Sequence, residues 1–123
     1  MESKKAAIIG ATPNAYRYAY MAAEKLMAHG FGFIPVGIKK GKVFENEILD
    51  IESKPDLGEI HTVTMYVGAE HFSGYEGYII GLKPKRIIFN PGSENRTLED
   101  RAIDAGIEVV HGCTLVMLGS GQY

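Results

Sequence analysis

The residues best suited to chemistry form a short turn near the N-terminus. An apolar run, residues 6–9, leads directly into small and polar residues, and a helical pattern follows at once. A strand that enters a helix in this way is the first half of a mononucleotide-binding unit, because a helix N-terminus offers unpaired N–H groups and partial positive charge to a phosphate. Gly10 would form the turn, Ala11 would leave clearance, and Thr12 and Asn14 would donate hydrogen bonds. The usual G-x-G-x-x-G is absent, so an ordinary strand-to-helix connection stays open.

A second cluster of candidates is positively charged. Folds that prefer NAD usually place an acid at the end of the second strand, where it binds the ribose hydroxyls. Here the corresponding segment reads Gly-Ile-Lys-Lys-Gly-Lys, with Gly37, Lys39 and Lys40 as candidate contacts, and the first acid is Glu45. The lysines favour a phosphorylated ribose, as in NADP or coenzyme A. The alternative is a solvated loop whose lysines only aid solubility.

Three further segments fall at the same edge of the expected sheet. Arg17 lies in the first turn of the predicted first helix, where a cation is unfavourable unless a bound anion offsets the helix dipole. The alternative for Arg17 is an exposed side chain that lies over neighbouring tyrosines. Tyr66 and Val67 end the third long strand and are placed to flank an adenine ring, or else belong to the sheet core. Pro91 and Gly92 form the turn after the following strand.

Candidates for catalysis or metal binding are weaker. His111 and Cys113 form a lone His-x-Cys, and a zinc site needs more ligands than this. A nucleophilic cysteine needs a base and an orienting group, and the sequence indicates neither. Structural packing is therefore the preferred interpretation of Cys113. We predict no metal site and no catalytic residue, and hence a protein that is not an enzyme.

Composition narrows the function classes. The chain has 123 residues, of which 46% are hydrophobic and 23% charged, which predicts a single globular domain over residues 1–123. The formal net charge of −2 argues against a nucleic-acid or membrane-surface partner. No apolar run approaches the ~20 residues of a membrane span. A single cysteine fits a reducing compartment, so we expect a cytoplasmic protein.

The elements that must position these residues alternate between strands and helices. Strands are predicted at residues 6–9, 31–36, 61–67, 86–89 and 108–110, and helices at 16–29, 72–82 and 93–105, the last capped by Ser93 and with Ala105 facing inward. Residues 43–55 are predicted to be a connection that holds either a short strand or one helical turn. The pattern predicts an α/β, Rossmann-like, three-layer domain with a mostly parallel sheet of about five strands and helices on both faces.

The chain resembles a known family over nearly its whole length. The segments that carry the resemblance are Ile-Ile-Gly-Ala-Thr-Pro-Asn at 8–14, Arg17, Ile-Pro-Val at 34–36, and the stretches 85–95 and 105–113. They resemble the small bacterial CoA-binding proteins of the YccU type, which are similar to the CoA-binding domain of succinyl-CoA synthetase. The resemblance implies a Rossmann-like domain that binds coenzyme A or an acyl-CoA.

The same resemblance implies roles for individual residues. The turn at residues 10–14 would hold the pyrophosphate, Arg17 and the lysines after Val36 would meet phosphate charge, and residues near Val67 would line the adenine pocket. The chain also departs from the family. Gly-Ile-Lys at 37–39 replaces an Asn-Pro-Lys-like sequence, and Phe-Asn-Pro-Gly at 89–92 replaces an aromatic-x-Gln segment.

A third departure bears on assembly. An apolar run at residues 114–118 replaces the family's polar tail and is expected to pack on the domain or on a second subunit, which leaves a homodimer open. Three functions follow from the sequence. The first is a cytoplasmic CoA-binding protein without catalysis. The second is an enzyme or redox sensor that uses NADP or NAD. The third is a protein-interaction module that has lost its ligand.

Overall fold

The apolar runs of the sequence form the strands of one main sheet. The structure, a computed structural model, describes residues 4–123. The strands are β1 (Ala6–Ile9), β2 (Phe33–Gly37), β3 (Lys42–Val43), β4 (Asn46–Glu47), β5 (Leu49–Asp50), β6 (Thr62–Met65), β7 (Arg86–Phe89) and β8 (Glu108–His111). The α-helices are α1 (Tyr18–Ala28), α2 (Glu76–Gly81), α3 (Arg96–Asp104) and α4 (Thr114–Gly119), and short 3₁₀ turns lie at Ile51–Ser53 and Ala69–His71.

Strand order in the main sheet is β5-β2-β1-β6-β7-β8, and every neighbouring pair is parallel. The chain moves outward from β1 to β2 and β5 on one side, then crosses back to β6 on the other side of β1. Strand order therefore reverses between β1 and β6. The predicted Rossmann-like α/β fold is confirmed, with six strands in the sheet instead of about five. The extra strand is β5, which comes from the segment that the sequence left as either strand or helical turn.

Helices cover both faces of the sheet. Alternate β1 residues point to opposite sides, because successive side chains of a strand do so. Ala7 and Ile9 pack in one core cluster with Leu98 of α3, and Ile8 packs in a second cluster with Leu26 of α1. All five side chains are at most 1% exposed. The predicted three-layer arrangement is therefore present, and the strand ends are held rigidly between two filled cores.

The apolar run near the end of the chain packs on the domain. It forms α4, which lies against α1, with Thr114 and Leu118 buried and Val116 exposed. Packing on the domain was one of the two expected outcomes, and a homodimer stays a prediction. Within residues 4–123, no helix has both the length and the apolar character needed to cross a membrane.

Several predicted boundaries were wrong. Helix α1 begins at Tyr18, two residues later than predicted, because the side-chain oxygen of Asn14 accepts a hydrogen bond from the Tyr16 N–H (3.0 Å) and closes a turn before the helix. Asn95, instead of Ser93, caps α3 by accepting a hydrogen bond from a first-turn N–H (3.0 Å). The predicted strand at 61–67 shortens to β6, and residue 105, predicted to face inward, is exposed.

Candidate functional site

The candidate site is a cavity at the C-terminal ends of β1, β2, β6 and β7. It lies where strand order reverses, the position at which open α/β sheets bind their ligands. Its volume is about 410 Å³. The lining residues are Gly10, Ala11, Thr12, Arg17, Tyr18, Ala19, Ile38, Lys39, Tyr66, Val67, Gly68, His71, Pro91, Gly92 and Ser93.

The turn after β1 is held tightly against both neighbouring strands. The N–H groups of Gly10 and Ala11 both donate to the carbonyl oxygen of Val36 in β2 (2.9 and 3.1 Å). On the other side, a Cβ atom on Gly10 would lie 2.9 Å from the carbonyl carbon of Tyr66, and Gly10 has a φ of +93°. Only glycine satisfies both conditions without strain. These two N–H groups thus fix the turn in place and are already engaged by β2.

The polar side chains of this turn form hydrogen bonds within the turn. The hydroxyl oxygen of Thr12 accepts a hydrogen bond from the Asn14 N–H (3.2 Å), and the side-chain oxygen of Asn14 accepts from the Tyr16 N–H. Thr12 is buried and lines the cavity, whereas Asn14 is exposed and is not among the lining residues. The side-chain oxygen of Asn14 thus closes the turn outside the cavity lining, and the predicted donation from Asn14 to a phosphate stays a prediction.

The N-terminus of α1 opens onto the cavity. Arg17 occupies the N-cap position, one residue before the helix and not within its first turn as predicted, and Tyr18 and Ala19 follow it along the cavity wall. Within residues 4–123, no side chain caps this helix, and its first turn contains no acid. The partial positive charge of the helix end therefore adds to the charge of Arg17 at one wall of the cavity.

The loop after β2 supplies another part of the cavity wall. Ile38 and Lys39 line the cavity, whereas Lys40 is exposed and does not. Gly37 is also absent from the lining. A Cβ atom there would lie 3.3 Å from the Ala11 nitrogen, so the small residue lets the two turns approach each other. One lysine of the predicted cluster faces the cavity, and Gly37 has a packing role.

Tyr66 and Val67 form the wall on the β6 side. Tyr66 both lines the cavity and packs against the core cluster beneath α1. Its place in the sheet core is therefore compatible with a place beside a bound ligand. Burial raises the pKa of the Tyr66 phenol from 10.0 to about 12. His71 also lines the cavity and lies 3.8 Å from the Glu70 carboxylate on an exposed 3₁₀ turn.

The turn after β7 completes the rim with Pro91, Gly92 and Ser93. The Gly92 N–H donates to the carboxylate oxygens of Glu94 (3.0 and 3.2 Å). Hydrogen bonds from its own N–H and from Gly92 hold the pKa of the Glu94 carboxyl below its usual value. This turn is therefore shaped by an ionised side chain at the surface.

Beneath the turn after β7, the buried side chain of Asn90 forms hydrogen bonds to neighbouring segments. Its side-chain nitrogen donates to the Thr64 hydroxyl (2.7 Å) and to the Met65 carbonyl (2.8 Å), and its side-chain oxygen accepts from the Thr114 N–H (2.8 Å). The two threonine hydroxyls also hydrogen-bond to each other (2.8 Å). Asn90 is 2% exposed. It joins β6, β7 and α4, a role that its sequence context does not indicate.

His111 and Cys113 lie apart from the cavity lining. The His111 ring stacks on Phe89 and lies 3.1 Å from a carboxylate oxygen of Glu99, and Cys113 is half-buried at the start of α4. Among the residues that the structure describes, no group of three or more His, Cys, Asp or Glu side chains could hold a metal ion.

The structure brings most of the predicted residues together. Eight line the cavity: Gly10, Ala11, Thr12, Arg17, Lys39, Val67, Pro91 and Gly92. Three predicted residues do not: Asn14, Gly37 and Lys40. Tyr66, for which a place beside an adenine ring was one of the two predicted interpretations, also lines the cavity. Lining residues absent from the predicted site are Tyr18, Ala19, Ile38, Gly68, His71 and Ser93. Each of these follows a strand end or opens α1, so their position after predicted strands is the signal that could have found them.

Fold and cavity together define a Rossmann-like domain with a ligand cavity at its strand-order reversal. More particularly, the chain belongs to the CoA binding domain family, whose model matches residues 4–119. The family resemblance predicted from the sequence is thereby confirmed. No curated protein matches the chain significantly.

Solved structures match the whole fold. A crystal structure of an uncharacterized protein is 49% identical, with a TM-score of 0.94 and full coverage of both chains. A hypothetical protein from Pyrococcus horikoshii OT3 is 24% identical, with a TM-score of 0.83 over 96% of this chain and 83% of that one. A Thermus thermophilus protein is 20% identical, with a TM-score of 0.80 over 98% and 91% of the two chains. The last two likenesses concern the fold alone.

Proposed function

We propose that the protein binds coenzyme A or an acyl-CoA through its nucleotide and pyrophosphate part, and that it carries out no reaction of its own. One observation carries the proposal. Arg17, Lys39 and the N-terminus of α1 direct positive charge into the same cavity. Membership of the CoA binding domain family supports coenzyme A as the anion that this site binds.

Each part of the ligand has a matching wall. The pyrophosphate would lie against the turn of Gly10 to Thr12 and the start of α1, where the helix dipole and Arg17 favour negative charge. Lys39, on the loop after β2, would meet the phosphate of the ribose. The adenine ring would lie against the apolar side chains of Ile38 and Val67, on the loops after β2 and β6.

The loop after β2 distinguishes a CoA-binding site from the site of an NAD-dependent enzyme. Lys39 occupies the wall at which a fold that prefers NAD presents an acid to the ribose hydroxyls. Support for the absence of catalysis comes from Cys113, the one cysteine of the chain, which lies outside the cavity lining.

A thermal-shift titration with CoA, dephospho-CoA, NADP and NAD tests the proposal. A ligand at 100 times its Kd adds about 2.7 kcal/mol of stability, which moves the melting temperature of a domain of this size by several degrees. We expect the largest shift with CoA and a smaller one with dephospho-CoA. A larger shift with NAD would contradict the lysine argument. No shift with any of the four would leave the interaction module as the better account.

A further inference from the structure

We propose that His71 makes ligand binding in the cavity depend on pH, because its protonated imidazole adds a third cation to those of Arg17 and Lys39. The affinity for an anionic ligand then rises as the pH falls from 8 to 6. This inference rests on the proposed function and adds a form of regulation to it. The observations behind it are the place of His71 in the cavity lining, the charges around it and the exposure of its ring.

His71 brings a titratable group to the wall on the β6 side, at the end of the 3₁₀ turn that follows this strand. The chain has four histidines, and of these only His71 is among the described residues that line the cavity. The other three are His29, His61 and His111. Histidine is the side chain whose charge ordinarily changes between pH 5 and 8. A change of charge in this range therefore reaches the cavity through one residue of the lining.

The other charges around the cavity keep their sign between pH 6 and 8. Arg17 and Lys39 are cations on two other parts of the wall, and arginine, lysine and tyrosine side chains ordinarily titrate well above pH 8. Burial raises the pKa of the neighbouring Tyr66 phenol still further, to about 12. On the turn after β7, hydrogen bonds hold the pKa of the Glu94 carboxyl below its usual value. None of these groups gains or loses a charge where histidine does.

Glu70 is the acidic neighbour of His71 on the same turn. One of its carboxylate oxygens lies 3.8 Å from the Nε2 atom of His71, and both side chains are 74% exposed. Gly68 allows the carboxylate to lie against the turn, since a Cβ atom on Gly68 would be 2.7 Å from it. An exposed pair at this separation interacts weakly. The imidazole is therefore not held away from an anion in the cavity.

The attraction between His71 and a bound phosphate fixes the sign of the effect. A cavity of about 410 Å³ is narrow compared with the ~10 Å over which charges interact at 0.1 M salt. A phosphate in the cavity therefore favours the protonated form of His71. Because the complex then holds more protons than the free protein, affinity increases as pH falls. For an exposed pair the expected change is about two- to fivefold.

Calorimetric titration of the full chain with dephospho-CoA at pH 6.0 and 8.0, in buffers without phosphate, tests this inference. Dephospho-CoA is the chosen probe because its pyrophosphate keeps its charge over this range, whereas the ribose phosphate of CoA takes up a proton near pH 6. We expect the Kd to be about two- to fivefold lower at pH 6.0 than at pH 8.0. His71→Gln should remove this difference.

Two further variants separate the charge of His71 from a structural role. His71→Lys keeps a cation at both pH values, so it should bind dephospho-CoA at pH 8.0 at least as tightly as the parent does at pH 6.0. His29→Gln is the matched control, since His29 is exposed and caps the C-terminal end of α1, outside the cavity lining. It should keep the pH dependence of the parent protein.

Proton uptake gives a second readout. Titration at pH 7.0 in two buffers of different ionisation enthalpy should show that the parent takes up a fraction of a proton per bound ligand and that His71→Gln takes up none. If CoA or dephospho-CoA binds but its affinity changes equally with pH in the parent and in His71→Gln, the inference is overturned and the proposed function stands. If neither ligand binds at either pH, the proposed function is overturned, and the inference with it.

Discussion

Gly10 and Tyr66 lie so close together that a Cβ atom on Gly10 would stand 2.9 Å from the carbonyl carbon of Tyr66. The contact joins the turn after β1 to the end of β6, the two strands between which strand order reverses. It is a contact with backbone, which cannot rotate away as a side chain could. The turn that opens the cavity therefore depends on the absence of a side chain at one position.

Substitution of this glycine should be costly. Gly10→Ala is expected to lower the free energy of unfolding by about 2–4 kcal/mol, because it combines a positive φ with overpacking against backbone. Gly30→Ala is the matched control, since Gly30 has a φ of +82° with nothing within 4 Å of its Cβ position. Urea denaturation should show a loss of only about 1–2 kcal/mol for the control. Equal losses for the two variants would contradict the packing argument.

Arg17 should oppose the stability of the fold while supporting ligand binding. Arg17→Ala removes a cation from the N-terminus of α1, so the free energy of unfolding should stay the same or rise by about 0.3–1 kcal/mol. CoA and dephospho-CoA should both bind about tenfold more weakly, because the pyrophosphate is common to them. Denaturation and calorimetry measure the two effects separately.

Arg96 provides the control for that experiment. It begins α3, is exposed and pairs with Asp100 at 3.5 Å, away from the cavity lining. Arg96→Ala should leave both affinities unchanged. If Arg17→Ala also left them unchanged, the pyrophosphate would not lie at the start of α1.

Asn90 should be a stability residue. Asn90→Ala leaves the Thr114 N–H and the Met65 carbonyl without their buried partner, so unfolding should become easier by about 2–4 kcal/mol. Asn46 offers a comparison, since its side chain donates to the carbonyls of Val43 and Phe44 at the surface of the β3–β4 hairpin. Asn46→Ala should cost no more than about 1 kcal/mol. If urea denaturation showed a smaller loss in the free energy of unfolding for Asn90→Ala than for Asn46→Ala, the stabilising role of the buried Asn90 hydrogen bonds would be contradicted.

Stability should fall in alkaline solution through Tyr66. In the unfolded chain its phenol loses a proton near the ordinary value of 10, whereas in the folded protein its pKa is about 12. Between these values the unfolded state binds fewer protons, so the free energy of unfolding falls as pH rises, by up to about 3 kcal/mol. Denaturation of Tyr66→Phe from pH 9 to 12 should show a shallower decline than the parent protein.

The decline will not vanish in that variant, because burial also raises the pKa values of Tyr78 and Tyr123. Tyr16→Phe is the control, since Tyr16 is 89% exposed. It should reproduce the parent pH dependence. A decline that is equally steep in Tyr66→Phe would show that the phenol is not held in its neutral form by burial.

Most of the fold and the centre of the candidate site could be predicted from the sequence. Apolar runs that end in glycine or small polar residues mark the strand ends, and the family resemblance follows the same segments. Arg17 and Lys39 could be predicted because a cation beside a helix start or a strand end already implies an anion. Tyr18 and Ile38 could not, because exposed apolar side chains gain a role only once the start of α1 and the loop after β2 line the same cavity.

Two kinds of feature were beyond local patterns. Asn90 makes its hydrogen bonds to residues 24–26 positions away, and a sequence pattern does not reveal such long-range partners. The strand β5 pairs with β2 over only two residue pairs, Val36 with Leu49 and Gly37 with Asp50. A strand of two residues is too short to show the alternation of apolar and polar residues by which a strand is predicted. The late start of α1 is by contrast a local effect, because the Asn14 side chain competes with the helix for the N–H of Tyr16, two residues further on.

The proposed contact between Lys39, which lines the cavity, and the phosphate of the ribose is the central claim. The most direct measurement is calorimetric titration of the parent protein, Lys39→Ala and Lys40→Ala with CoA and dephospho-CoA. The parent should prefer CoA by about tenfold, a difference of roughly 1.4 kcal/mol. Lys39→Ala should lose this preference, and Lys40→Ala, altered beside the cavity but not in its lining, should keep it. A parent protein that does not bind CoA, or binds both ligands equally, would contradict the account.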